Sequence, residues 1–235
     1  MKYKGYIIYE GPSRIDGSPI VVIATMQSKN GKTGNMVQTW IMRSDIHPLD
    51  AIKSGDDYSV CGNCKHRPFL DGPCYVNVGQ APSAIFKAYK RGLYPHVKPS
   101  AVPVKGRKVR IGAYGDGAAA PTNVWLELVD GSDGWTGYSH QWQEAFFDPA
   151  IMAVCMASVD NPQEYSQAKA RGYRTFRVRV SSQAKAKSEI DCPASDEAGN
   201  RTKCIKCTLC NGSAGKSKRD IVILAHGAKA SRFVA

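Results

Sequence analysis

Seven of the eight cysteines in this sequence fall into two groups whose spacing is typical of metal sites. They are Cys61, Cys64 and Cys74 in the first group, and Cys192, Cys204, Cys207 and Cys210 in the second. Two residues separate each of the last three thiols, so one tight loop can direct all three sulfur atoms toward one ion or cluster. With Cys192 as the fourth thiolate, the second group completes a tetrahedral zinc site.

The first group lacks a fourth cysteine in its own stretch of sequence. His66 or His47 could complete a zinc site there. Without such a ligand, three thiolates and an open position fit a catalytic metal or an iron–sulfur cluster. We therefore expect zinc at one or two sites, with a [4Fe–4S] cluster as the alternative cofactor.

A disulfide framework is the competing explanation for grouped cysteines, and it is typical of short secreted domains. This chain has 235 residues, of which 43% are hydrophobic, which is enough for one large domain with its own core. Its first ten residues lack the apolar stretch of a signal peptide, and no run of about 18 apolar residues predicts a membrane span. The sequence thus predicts a cytoplasmic protein with reduced thiols and no membrane partner.

The net charge points to a polyanionic partner. Lysine and arginine number 32 against 20 aspartates and glutamates, which gives a net charge of +12 and a pI near 9.3. Nucleic acid is the commonest partner of such a protein. The candidate contact residues are Arg107, Lys108, Arg110, Arg174, Arg177 and Arg179. The alternative for each basic patch is an ordinary solvated surface.

The pattern of elements predicts an α/β fold. An antiparallel hairpin pairs residues 5–9 with 20–25, and β-rich runs then alternate with helical segments, which implies parallel strands with crossover helices. Eight strands are expected, near residues 20, 38, 74, 109, 135, 153, 175 and 220. Helices are expected at 48–53, 82–91, 121–128, 143–147 and 162–170.

Eight strands indicate an irregular (β/α)8-like barrel with an N-terminal β-hairpin and metal-binding loops. An open α/β sheet is the alternative. We expect one domain over residues 1–235. Its segments are the hairpin and loop (1–37), the βα core (38–180), the cysteine-rich metal loop (181–219), and the last strand and tail (220–235).

Polar residues follow the predicted strands, where catalytic side chains lie in such a barrel. The candidate catalytic residues are Asp116 as nucleophile or base, His140 as acid or base beside two aromatic residues that could hold a purine, and Asp160. Each has a simpler alternative. Asp160 could cap the next helix, Asp116 lies in a glycine-flanked turn, and His140 could simply pack among the aromatic rings.

Residues 110–116 (RIGAYGD), residues 134–142 (GWTGYSHQW) and the second cysteine group resemble a group of largely uncharacterised phage and plasmid proteins, over about residues 60–228. At a greater distance, the chain is similar to the tRNA-guanine transglycosylases and their phage relatives that insert 7-deazaguanines into DNA. That resemblance implies that Asp116 or Asp160 attacks C1′ of the nucleoside and that the other aspartate acts as base. It also implies DNA rather than RNA, a small purine-like substrate and the cytoplasm of the host cell.

Three functions follow from these observations. The first is a metal-containing enzyme that modifies nucleic acid, most concretely a base-exchanging transglycosylase. The second is an iron–sulfur redox or radical enzyme, since two thiol-rich loops are expected on the face that carries the strand ends. The third is a non-catalytic zinc module that binds nucleic acid or a host protein.

Overall fold

Two five-stranded sheets that meet in one extended segment form the framework of the fold. In this computed structural model the described residues are 3–28, 30–31, 33–227 and 229–233. The strands are β1 (Gly5–Pro12), β2 (Pro19–Thr25), β3 (Val37–Arg43), β4 (Val109–Tyr114), β5 (Trp135–Thr136), β6 (Tyr138–Ser139), β7 (Met156–Val159), β8 (Thr175–Arg179), β9 (Glu189–Asp191) and β10 (Asp220–Leu224). The helices are α1 (Pro48–Ser54), α2 (Tyr58–Cys61), α3 (Ala81–Lys90), α4 (Thr122–Val129), α5 (Pro162–Ala170) and α6 (Cys204–Cys207).

The strand order is β1-β2-β3-β4-β5 in the first sheet and β6-β7-β8-β10-β9 in the second. β2 pairs antiparallel with β1 and β3, and every strand pairing beyond β3 is parallel. Residues 135–139 belong to both sheets, because their first half pairs with β4 and their second half, after Gly137, pairs with β7. The carboxyl ends of β4, β6 and β7 therefore lie on one side of the framework.

β2 is buried on both faces, which explains its nearly continuous apolar sequence PIVVIAT. Alternate side chains of a strand point to opposite faces. Val21 and Ile23 accordingly lie in the cluster that includes Phe86 of α3. Ile20 and Val22 lie in the larger core with Trp125 of α4. β2 thus anchors the first sheet between two hydrophobic layers.

The structure confirms the mixed α/β class, the N-terminal hairpin and the helices predicted near α1, α3, α4 and α5. Within the described part of the chain, none of the helices has the length and apolar character needed to cross a membrane. The predicted segments 1–37 and 220–235 contain the seven positions that lie outside the described residues.

Two predicted elements are wrong, and the sequence does not predict β9 or the short helices α2 and α6. Residues 74–78 form an extended loop and no strand. Val76 and Val78 alternate with polar residues because one side of this loop packs against the cluster that includes Phe86 of α3. Residues 143–147 form turns rather than a helix, and a 3₁₀ helix begins at Pro149. β9 was not predicted, since three residues within a polar segment carry too short a pattern.

A buried ion pair holds β9 in place. Nε and Nη2 of Arg177 on β8 donate to the two carboxylate oxygens of Glu189 at 2.7 and 2.6 Å. Oε2 of Glu189 also accepts from the backbone N–H of Ala186 at 2.7 Å. Both charged side chains are almost completely buried, so removal of either one would leave the other charge in the interior without its partner.

We expect Glu189→Ala to lower the free energy of unfolding by about 3 to 5 kcal/mol, because it leaves the Arg177 guanidinium buried and unpaired. Urea unfolding measures this difference. The matched control is Lys185→Ala, which removes a half-exposed pair with Asp191 and should cost less than about 1 kcal/mol. Equal midpoints for the two variants would contradict the role given to the buried pair.

Candidate functional site

The three predicted catalytic residues meet at the carboxyl ends of neighbouring parallel strands. Asp116 lies two residues after β4, His140 directly follows β6, and Asp160 directly follows β7. Backbone N–H of His140 donates to Oδ2 of Asp116 at 2.7 Å, and Asp160 lies close enough to act on the pKa of His140. Their chemical roles stay predictions, but the structure brings them together as expected.

Asp116 is a buried carboxylate whose two oxygens both accept hydrogen bonds. Oδ1 accepts from the Ser139 hydroxyl at 2.8 Å and from the backbone N–H of Ala118 at 2.9 Å. Oδ2 accepts from His140, and the backbone N–H of Asp116 donates to the carbonyl of Val60 at 2.7 Å. Asp116 thus joins the ends of β4 and β6 to the end of α2.

Asp160 pairs with a histidine from the loop after α2. Nε2 of His66 lies 2.9 Å from Oδ1 of Asp160, and the Asp160 residue is only 1% exposed. Burial by itself raises the pKa of this carboxyl group, but the hydrogen bond from His66 and the nearby charges of His140 and Lys65 outweigh it, so the pKa is lowered. Asp160 is therefore held as a carboxylate.

His140 lies beside this pair. Burial lowers the pKa of its imidazole, and the negative charge of Asp160 partly opposes that shift. The rings of His140 and His66 meet edge to face, with 5.3 Å between their centroids. His66, His140 and Asp160 each offer one ligand atom, and these three atoms all lie within 4.8 Å of one another.

The loop that carries the first cysteine group lies directly over these strand ends. The side chain of Gln141 donates to the carbonyl of Cys61 at 2.8 Å and accepts from the backbone N–H of Asn63 at 3.1 Å. Lys65 pairs with Glu164 of α5 at 2.6 Å. Gly62 permits the close approach of Gln141, because a Cβ at this position would lie 2.1 Å from Oε1 of that side chain.

The thiols of the first group are close enough to influence one another. Burial raises the pKa of Cys61 well above its usual value, and the neighbouring Cys64 and Cys74 raise it further. Burial also raises the pKa of Cys64, and both Asp116 and Asp160 contribute to that shift. None of these cysteines forms a disulfide. Three thiols and two carboxylates thus share one side of the framework.

The second cysteine group lies in the long segment before β10. Burial raises the pKa of Cys210, and the nearby thiols of the other three members contribute to the same shift. Within the described residues, no three sulfur atoms of either cysteine group lie within 4.8 Å of one another, whereas the ligand atoms of His66, His140 and Asp160 do.

Arg174 makes its hydrogen bonds to the loop that carries the second cysteine group, and not to a ligand at the protein surface. Its guanidinium donates to the carbonyls of Leu209, Gly212 and Arg219 and to Oδ1 of Asn211, at 2.7 to 3.2 Å. The residue is buried. This differs from its predicted place in a nucleic-acid surface, because the loop carbonyls occupy its donors.

Two other predicted nucleic-acid contacts also have structural partners. Arg177 is buried against Glu189, which removes its guanidinium from the surface, contrary to its predicted role. Arg179 donates to the carbonyls of Val180 and Gln183. The Nε atom of Arg110 is buried and has no hydrogen-bond partner.

Arg107 and Lys108 line a cleft of about 370 Å³ beside the second cysteine group. Ile205 of α6 lies on the same cleft. Arg107 donates to the carbonyls of Met26 and Asn35, which fixes its guanidinium along the cleft wall. Two of the predicted basic contacts thus lie in a concave surface.

No protein-family model matches the chain, and searches among curated proteins and solved structures find no match either.

His66 is the site residue whose role the sequence reasoning missed. The sequence predicts this histidine only as a possible fourth ligand of the first cysteine group, whereas its imidazole faces Asp160 and His140. Its position two residues after Cys64 was the available signal. The loop turns between these residues, so the thiol and the imidazole meet different partners.

We expect Asp116→Asn to lower the free energy of unfolding by about 2 to 4 kcal/mol, because an amide NH₂ group must then face an N–H or O–H donor and the charged acceptor is lost. Urea unfolding measures the change. Asp148→Asn is the matched control. Asp148 caps a 3₁₀ helix by accepting from Ala150, and asparagine caps equally well. Similar midpoints for both variants would refute the joining role of Asp116.

Proposed function

We propose that this protein is a metal-containing enzyme that modifies nucleic acid, and that its reactive group is an iron–sulfur cluster held by Cys61, Cys64 and Cys74. One observation carries the proposal. The loop with these three thiols is tied by hydrogen bonds to the carboxyl ends of β4, β6 and β7, which is where parallel α/β folds place their catalytic groups.

The donor set suits a cluster with one open iron. The three thiols lie within electrostatic reach of one another, and this stretch of sequence holds no fourth cysteine. Three thiolates also leave one iron open to a small ligand, and redox or radical chemistry, for example with S-adenosylmethionine, uses such a position.

The chain's own residues would shape this centre. Asp116 fixes the backbone of His140 and the end of α2 through its hydrogen bonds. Gln141 fixes the first turn of the cysteine loop. Nε2 of His66 and Oδ1 of Asp160 lie 2.9 Å apart beside the thiols, so an imidazole and a carboxylate face any substrate bound there.

The scaffold in this proposal is the irregular (β/α)8-like barrel that the strand pattern predicts. Its support is the series of parallel pairings from β3 through β4, β7 and β8 to β10. In such a barrel, the loop with the three thiols would lie over the carboxyl ends of the parallel strands.

The second cysteine group, far along the chain in its own loop, would hold a structural zinc ion.

Base exchange at a nucleoside stays a prediction from the distant resemblance. The geometry favours Asp160 over Asp116 as its reactive carboxylate, because the oxygens of Asp116 already accept three hydrogen bonds. A non-catalytic zinc module also stays a prediction. Neither one accounts for a thiol loop tied over polar strand ends as directly as an iron–sulfur enzyme does.

Protein purified without air, or reconstituted with iron and sulfide, is expected to be brown and to bind about four irons at the first cysteine group. The variant Cys61→Ala/Cys64→Ala/Cys74→Ala should lose this iron and the visible absorption. Iron and sulfide analysis, with electron paramagnetic resonance after reduction by dithionite, measures the effect.

Cys155→Ala is the matched control for that experiment. Cys155 is the one cysteine outside the two groups, and it is buried, so its loss should leave the iron content unchanged. A colourless wild-type protein that contains zinc and no iron would overturn the iron–sulfur assignment. Release of 5′-deoxyadenosine from S-adenosylmethionine under dithionite would support the radical form.

We expect binding of a DNA duplex to weaken steeply as salt rises, because a net charge of +12 favours counterion release. Lys108→Ala should weaken binding and reduce the slope of log affinity against log salt by about 1. Fluorescence anisotropy at several salt concentrations measures both quantities. Lys53→Ala, which removes an exposed lysine of α1, is the control. An unchanged slope in Lys108→Ala would show that the cleft lined by Lys108 does not contact DNA.

A further inference from the structure

Two imidazoles and one carboxylate converge beside the first cysteine group without any cysteine among them. His66 comes from the loop after α2, His140 from the end of β6 and Asp160 from the end of β7. Their ligand atoms lie within 4.8 Å of one another. Side chains from three separate segments thus surround a point that one ion can occupy.

Unpartnered ring nitrogens are a second and independent observation. Nε2 of His140 and Nδ1 of His66 are both buried and have no hydrogen-bond partner. A buried polar atom without a partner costs about 1 to 3 kcal/mol, and such atoms commonly mark a place where a ligand or ion binds. His140 Nε2 would have its partner if a metal ion lay between the three side chains.

The surroundings hold these donors in place. Asp116 fixes the backbone at His140, and Oε2 of Glu164 accepts from the backbone N–H of Asp160 at 2.8 Å. The His66 ring stacks on Phe233, with 5.4 Å between centroids. Second partners of this kind orient the ligands of a metal site.

The local charge also suits a cation. Lys65 lies 4.0 Å from Oδ2 of Asp160, but it pairs more closely with Glu164, at 2.6 Å. The carboxylates of Asp160, Asp116 and Glu164 therefore outnumber the one nearby ammonium group.

We propose that His66, His140 and Asp160 bind one divalent transition-metal ion of the zinc class. Two imidazoles and one carboxylate form a donor set that such ions prefer. Three protein ligands leave an open position, at which an ion can activate a water molecule or polarise a substrate oxygen. This site is distinct from the proposed iron–sulfur centre and does not depend on it.

Cobalt(II) is the probe that separates the two kinds of site. Thiolate ligands give cobalt an intense ligand-to-metal charge-transfer absorption, whereas imidazole and carboxylate ligands do not. The experiment uses full-length Cys61→Ala/Cys64→Ala/Cys74→Ala protein, with its second cysteine group first filled with zinc. The expected result is one further cobalt ion per chain, with ligand-field bands and no thiolate absorption.

Adding His140→Gln or Asp160→Asn to this background should lower the cobalt affinity at least about 100-fold, since each removes a direct ligand and even second partners contribute 10- to 100-fold. His226→Gln is the matched control. His226 is exposed and stacks on Tyr75, so its loss should leave the affinity unchanged. Equal cobalt binding in His140→Gln and His226→Gln would overturn the site.

A measurement on the wild-type chain covers the case in which a variant fails to fold. Cobalt-bound imidazoles give strongly shifted proton resonances, and their N–H signals disappear in deuterated water. Two such signals are expected after the cysteine groups have been filled with zinc. The absence of shifted imidazole signals would refute the proposal, whether or not the first cysteine group binds iron.

Discussion

The carboxylate of Asp116 is the interaction on which the site depends. It lies after β4 and accepts from Ala118, from the Ser139 hydroxyl and from the backbone of His140, while its own backbone N–H reaches Val60. Both oxygens of this buried carboxylate face a donor, which restricts its orientation. The carboxyl ends of two strands and the start of the cysteine loop are therefore fixed relative to one point.

This constraint explains why so many metal-binding side chains meet on one side of the framework. Gln141 follows His140 directly, so fixing the end of β6 also places the amide that binds the carbonyl of Cys61. The loop then returns His66 to Asp160 at the end of β7. Three thiols and a group of nitrogen and oxygen donors become neighbours although about 100 residues separate the loop from β7.

Much of the fold could be predicted from the sequence because its elements carry strong local signals. β2 has a continuous apolar run, and α5 begins at Asn161-Pro162, where the asparagine side chain accepts from Glu164. Residues 74–78 were predicted wrongly because alternation appears wherever an extended chain packs one side against a core, with or without a neighbouring strand. β9 owes its position to the distant Arg177, which no local pattern reveals.

The candidate site was predictable to a similar degree. Strand-end positions indicated Asp116, His140 and Asp160, since parallel strands bring their ends together. The pairing of His66 with Asp160 depends on how an irregular loop folds back, which spacing does not encode. Arg174 and Arg177 are buried, contrary to their predicted place at a nucleic-acid surface, because positive charge in a sequence does not distinguish a solvated side chain from one buried against carbonyls or a glutamate.

The bonds from Arg174 have a bearing on how the second cysteine loop would acquire metal. Ordering a backbone costs roughly 1 to 2 kcal/mol for each residue, and short zinc-binding peptides meet that cost only when the ion arrives. Here the guanidinium of Arg174 donates to the carbonyls of Leu209, Gly212 and Arg219. Folding of the surrounding protein therefore already offsets part of the entropy cost of ordering this loop. A preorganised loop of this kind uses less of the metal-binding free energy to order its backbone, so its affinity for the ion is higher than that of a loop that orders only on binding.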